Sequence, residues 1–261
     1  MAPDRRRPRR WRMFAAQVGY QNRMLLRSPM AAFSTLALPV VVLLAVTLLN
    51  SGRTLPSRGG IDFSQFFAPA MVAFAVMVAG YVNVLTGVTL ARDRGVMKRM
   101  RGTPLPPSLY FAGRLASTGL VTALAAVAIV TAAVAVYDVT VPWSAMPAAA
   151  LTVVVGVVCF AALGLAVAGI IRSGQSAMAV AWGTLLPLMF ISDVFLPLDT
   201  GPSWLRDLGS AFPPRHLAIA LETAFNPRTG NATPRWGDLG VLVAWAVAAS
   251  ITAFMLQRRP A

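Results

Sequence analysis

Few side chains in this 261-residue chain can move a proton, attack a carbon or hold a metal, and their positions exclude most such chemistry. The one histidine, His216, shares a stretch with Asp199, Asp207 and Glu222. Their spacing matches neither a metal-ligand pattern nor a histidine flanked by a nucleophile and an orienting acid. The one cysteine, Cys159, lies inside an apolar run, which suits a small core residue and leaves no disulfide or thiolate metal site. The one lysine, Lys98, follows Met97, whereas a phosphate-cradling P-loop needs Gly-Lys before Ser or Thr. What remains is charge arranged for docking. Between two long apolar stretches, residues 91–105 hold Arg92, Asp93, Arg94, Lys98, Arg99 and Arg101. At about 100° per residue, a short helix gathers Val96, Met97 and Met100 on one side and Arg94, Lys98 and Arg101 on another. Gly102, Thr103 and Pro104 end it. An apolar side that seats a helix and cations that pair with acids make a docking element, although the same cations would also anchor apolar spans at a membrane face.

The elements that must position this segment are set by composition. With 57% hydrophobic and 12% charged residues, the chain is an integral membrane protein and not a soluble domain. Six stretches are long enough to cross a bilayer: Met30 to Asn50, Phe66 to Leu90, Tyr110 to Tyr137, Met146 to Ile171, Ala177 to Leu198 and Gly237 to Leu256. The predicted fold is therefore all-α, with six transmembrane helices. Its net charge of +14 does not imply a nucleic-acid partner, because the Lys and Arg residues cluster at span ends. Seventeen of the 23 fall on the side of the termini, and the positive-inside rule makes that side cytoplasmic. Residues 1–29 read as a basic tail followed by an amphipathic helix on the inner surface, with Trp11, Phe14, Ala15, Val18 and Leu25 on one face and Arg12, Arg23 and Arg27 on another. Residues 30–261 form the permeation domain. Its outer segment 199–236 reads as two short amphipathic helices around Pro213-Pro214 that dip into the outer leaflet, or else as a small cap. Few polar residues interrupt the spans: Asn83, Thr86 and Thr89 in the second, Ser192 and Asp193 in the fifth.

The run from Arg92 to Leu105, continued by Leu109-Tyr110 and Gly113-Arg114, resembles the permease subunits of ABC-2 type transporters, in particular the daunorubicin-resistance type of drug exporter. A second match runs from Leu186 to Pro197 and continues through Phe212-Pro213-Pro214 and His216-Leu217. That resemblance implies a dimer of permease chains, identical or sister, driven by two copies of a separate ATP-binding subunit that holds ATP and Mg. The permease itself then needs no cofactor and no metal. It implies ATPase coupling through Asp93, Arg94, Gly95, Val96, Met97, Lys98, Met100, Arg101, Thr103 and Pro104, within the loop 91–109. It also turns the second and fifth spans toward a central pathway, which makes Asn83, Met189, Phe190 and Asp193 candidate substrate contacts. The family usually has glutamate where Asp93 stands and glycine where Asp193 stands. A pathway walled by Leu, Val, Phe and Met suits drugs or other amphiphiles moved out of the cell across the bacterial inner membrane.

Rival classes are separable. The same architecture also exports polysaccharides and lipid-linked glycans. An ion-coupled transporter would need an acid deep in the membrane, and Asp193 is the nearest approach to one. A membrane enzyme would need a converged acid, base or metal set, which the outer acids and His216 do not form by spacing.

Overall fold

The computed structural model describes residues 10–96, 106–171, 173–195, 203–227 and 233–257. Within them the chain forms nine helices: α1 (Arg10–Leu26), α2 (Pro29–Leu49), α3 (Phe63–Asp93), α4 (Pro107–Tyr137), α5 (Met146–Ile170), α6 (Gly174–Phe190), α7 (Ser203–Ser210), α8 (Pro213–Phe225) and α9 (Trp236–Gln257). A small antiparallel hairpin, β1 (Thr54–Leu55) and β2 (Ile61–Asp62), lies in the α2–α3 connection with Thr54 opposite Asp62. The all-α membrane class expected from the sequence is the one observed.

Proline sets several of the helix starts. α2, α4, α5 and α8 each carry one in the first turn, where the missing N–H has no helical partner to lose and φ is already helical. Pro213-Pro214 thus opens α8 and separates it from α7. α6 starts differently, on Ser173, whose Oγ accepts a hydrogen bond from the Ser176 amide at 3.3 Å.

Among the described residues, five helical stretches are long and apolar enough to cross a membrane: Pro29–Leu49, Phe63–Asp93, Ser108–Tyr137, Trp143–Ile170 and Trp236–Leu256. The expected fifth span, drawn from Ala177 to Leu198, instead forms the 17-residue α6, which stops at Phe190 and turns. Pro187 lies within that last turn of α6 and has no N–H to give the preceding turn. The expected six spans thus correspond to five full-length helices and one shorter one.

α3 is the axis of the packing. Its most apolar window is 83% buried, against 28% for α2, α4 and α9, so the outer helices keep faces for lipid or for another chain. α3 and α5 meet backbone to backbone because glycine stands on both sides of the crossing. A Cβ on Gly164 would lie 2.9 Å from the Tyr81 carbonyl oxygen, and one on Gly80 2.8 Å from the Phe160 Cβ. α6 buries one stripe, Ala177, Ala181, Leu185 and Met189, at the four-residue spacing that marks a single contact face. α1 packs along α4, with the Gln17 side chain over Gly113.

Candidate functional site

Two irregular turns build a polar cavity beside α3. α2 and α3 each include a wider π turn, Phe33–Ala37 and Val78–Val82, a form that recurs at functional sites because it redirects side chains. Here the turns face each other. Asn83, directly after the second, donates from Nδ2 to Thr35 Oγ1 of the first at 2.6 Å. Beside them is a cavity of about 340 Å³ walled by α1, α2, α3, α4 and α6. Its apolar lining includes Met24, Met30, Met178 and Trp182, and its polar lining includes Gln21, Asn83 and Arg114. Arg114 reaches in from α4 and donates from Nη2 to the Asn83 carbonyl at 2.7 Å.

The first residues of the 91–105 segment tie two helix ends together. Arg92 donates from Nη1 to the Ala168 carbonyl at 3.1 Å and from Nη2 to the Ile171 carbonyl, so a cation covers the C-terminus of α5. Asp93 Oδ2 accepts from the Gly174 amide at 2.5 Å, so an anion covers the N-terminus of α6. Each charge faces the helix end whose dipole favours it. Gly95, with φ of 67°, then closes α3 in the left-handed conformation that glycine takes without strain.

At the opposite end of α6 lies a denser set. Asp193, 2% exposed, faces Arg215 Nε of α8 at 3.2 Å and Arg58 Nη2 of the α2–α3 connection at 3.6 Å. Arg58 also pairs with Glu222 of α8 and stands 5.6 Å over the Phe66 ring. Gln65 ties the start of α3 to this set, the cap of α6, donating to the Phe225 carbonyl at 2.7 Å and accepting from the Thr140 amide at 2.9 Å. Beside Arg215 in the first turn of α8, His216 Nδ1 lies 2.6 Å from Asp238 Oδ1 and Nε2 lies 2.8 Å from the Ser210 carbonyl. The Asp238 hydrogen bond raises the His216 pKa above its ordinary value, against a smaller lowering by burial. Among the described residues, no group of three His, Cys, Asp or Glu side chains could hold a metal ion.

The family is decided by sequence similarity laid over this architecture: residues 14–225 match the model of the ABC-2 type transporter family. The chain belongs to that family. A daunorubicin resistance ABC transporter permease protein, DrrB1 of Streptomyces coeruleorubidus, is 27% identical over 209 residues, covering 77% of this chain and 71% of its own length. The inner membrane transport permease YadH of Escherichia coli K12 is 24% identical over 225 residues, covering 85% of this chain and 86% of its own. This ABC-2 protein is accordingly a multi-pass inner-membrane permease subunit of an ABC transporter, a family that works with an ATP-binding subunit.

The expected site residues that are described lie in separate places. Met97, Lys98, Met100, Arg101, Thr103 and Pro104 lie outside the described residues. Arg94 and Gly95 form a turn, with Gly95 at positive φ and the turn bonding Arg94 N to Leu90 O and Gly95 N to Arg92 O; helical backbone resumes at Val96, and the rest of the helix expected from about Arg94 lies outside the described residues. Val96 follows, half-buried. Asn83 lines the cavity, near Met178 and Trp182 of α6. Met189, fully buried, and Phe190, 53% exposed, sit about 10 Å past Trp182 along α6 at 1.5 Å per residue, with Asp193 beyond them. Arg114 and Gln21 were missed as site residues. Arg114 counts among the flanking cations by charge, but it lies past Tyr110, inside the third predicted span, and that position is the available signal. Gln21 gave no signal, since a glutamine on a surface helix is ordinary.

Proposed function

We propose that this permease moves drugs or other amphiphilic molecules out of the cell, as one of two permease chains energised by two copies of a separate ATP-binding subunit docking on the 91–105 segment. The termini and that segment face the cytoplasm, in keeping with the Arg excess there. The observation that carries the reading is the clasp at the root of the segment. Arg92 and Asp93 grip the end of α5 and the start of α6, so a partner that pulls on the segment also pulls on α6, which borders the cavity. The cavity's methionine and tryptophan wall accepts varied apolar shapes. The drug-resistance name of the Streptomyces relative points the same way. An ion-coupled mechanism has less support, because its one candidate acid, Asp193, is already matched to Arg58 and Arg215.

The test is co-purification of the tagged permease with its ATP-binding subunit, wild type against a chain carrying Asp93→Ala, Lys98→Ala and Arg101→Ala. A stable complex lost in the variant supports docking on the segment. No ATPase association in any nucleotide state would overturn the ATP-driven reading and leave ion-coupled transport to be tested by collapsing the proton gradient.

A further inference from the structure

The cavity contains a charge without an opposite. Arg114 Nε is buried and has no hydrogen-bond partner, and the same holds for Gln21 Nε2 on α1, whose side chain is 7% exposed. Arg114 has no ion pair among the described residues; its guanidinium meets the Tyr110 side chain and the Asn83 carbonyl, with the Val84 carbonyl at 3.5 Å, and none of these serves Nε. A guanidinium offers five donors, and leaving one buried and unmade costs more than a typical hydrogen bond returns. An ionisable side chain inside a spanning helix is costly and is retained where it pairs or meets a pathway. The structure also makes room for it. Gly87 of α3 lies directly under the Arg114 guanidinium, and any Cβ there would collide with Nη2. The unmet donors of both residues belong to side chains that line the same space as Met178 and Trp182.

We propose that this cavity binds the anionic head of an amphiphile, a phosphate or a carboxylate, with Arg114 and Gln21 as its donors and the Met24, Met178 and Trp182 wall receiving the start of its apolar tail. This deepens the export reading by giving the substrate class a sign. A guanidinium takes oxyanions through paired N–H groups, and the amide N–H of Gln21 supplies a further donor without adding charge. A cationic amphiphile would place like charges together in a poorly screened site and is disfavoured.

The test uses the full permease alone in phosphatidylcholine nanodiscs, with saturable binding of radiolabelled hexadecyl phosphate measured above empty discs. Unlabelled hexadecyl phosphate should compete, whereas hexadecanol and hexadecyltrimethylammonium should not. Arg114→Gln should weaken binding by about tenfold or more, Arg114→Lys should recover part of it, and Gln21→Met should weaken it severalfold. Gly87→Ala, which displaces the guanidinium, should resemble Arg114→Gln. Adding phosphatidylglycerol to the discs separates the two sources of such a head: competition assigns the site to a bilayer lipid, and indifference assigns it to a free amphiphile. Equal competition by hexadecanol on the wild type, or unchanged affinity in a folded Arg114→Gln chain, overturns the proposal. Because no ATPase is present, a charge-blind cavity would sink this inference and leave the docking test untouched.

Discussion

The two ends of α6 are held by opposite means. At its start, one exposed carboxylate, Asp93, meets one backbone amide, and Ser173 caps the first turn with its own hydroxyl. At its far end, Asp193 is enclosed between Arg58 and Arg215, and Glu222 completes a set of two cations and two anions, all with side chains at most 16% exposed. Water can replace the first contact at little cost. It cannot reach the second without uncovering several charges together, and a buried charge that loses its partner is strongly destabilising. α6 is thus anchored at the cap and loosely tied at the loop, which is the arrangement of an element pivoted at one end and pushed at the other.

The largest expected effect breaks the anchored end. Asp193→Leu should cost about 3–5 kcal/mol of stability, because Arg215 and Arg58 then face an apolar side chain. Denaturant titration of the purified chain in mixed micelles reads this directly. Asp193→Gly should cost less. Asp193 has φ of 57°, a region glycine occupies freely, so the glycine variant gives back about 1 kcal/mol of backbone strain while losing the same ion pairs. Equal losses for the two variants would mean that the backbone conformation contributes nothing and that the pairs alone define this end.

The loop end should respond weakly. Asp93→Ala removes a helix-end acceptor, a change worth about 1 kcal/mol. Hydrogen exchange should show faster exchange at Gly174 and Ser176 with Ile191 unchanged. If Asp93→Ala instead costs as much as Asp193→Leu, the contrast between the ends collapses, and α6 must be treated as fixed at both.

This contrast was partly legible in the sequence. The apolar runs gave the helices, since span length is a local signal. Asp93 and Asp193 were both singled out, yet their roles were not, because each depends on partners far along the chain. Asp93 meets Gly174, 81 residues on, and Arg58 meets Glu222, 164 residues on. Glycine as the usual family residue at 193 was the clue to a left-handed backbone there. What no periodicity could carry was the pair of π turns, which shift the faces of α2 and α3 partway along and bring Thr35 to Asn83. Arg114 was obscured by its closeness to a span end, where a cation is ordinary and a buried, unpartnered one is not.

The smallest expected effect sharpens the cap end by asking whether its rim titrates. The hydrogen bond to Asp238 is the main reason the His216 pKa is raised; the Ser210 carbonyl adds to it, while burial and the nearby Arg215 oppose it. A group whose folded pKa lies above its unfolded value stabilises fully below the unfolded value, about 6.5 for histidine, and loses that contribution as pH rises through the folded value. The wild-type cap should therefore weaken as pH climbs above about 6.5 through the raised value, and His216→Gln should remove that slope while leaving the low-pH ceiling lower. Asp238→Asn should also flatten it, since the largest cause of the shift is gone. The Asp193 cluster has no histidine, so Asp193→Gly should keep the wild-type slope at a reduced baseline. If Asp193→Gly also flattens the profile, His216 senses the inner cluster as well, and the rim and anchor of the cap titrate as one unit.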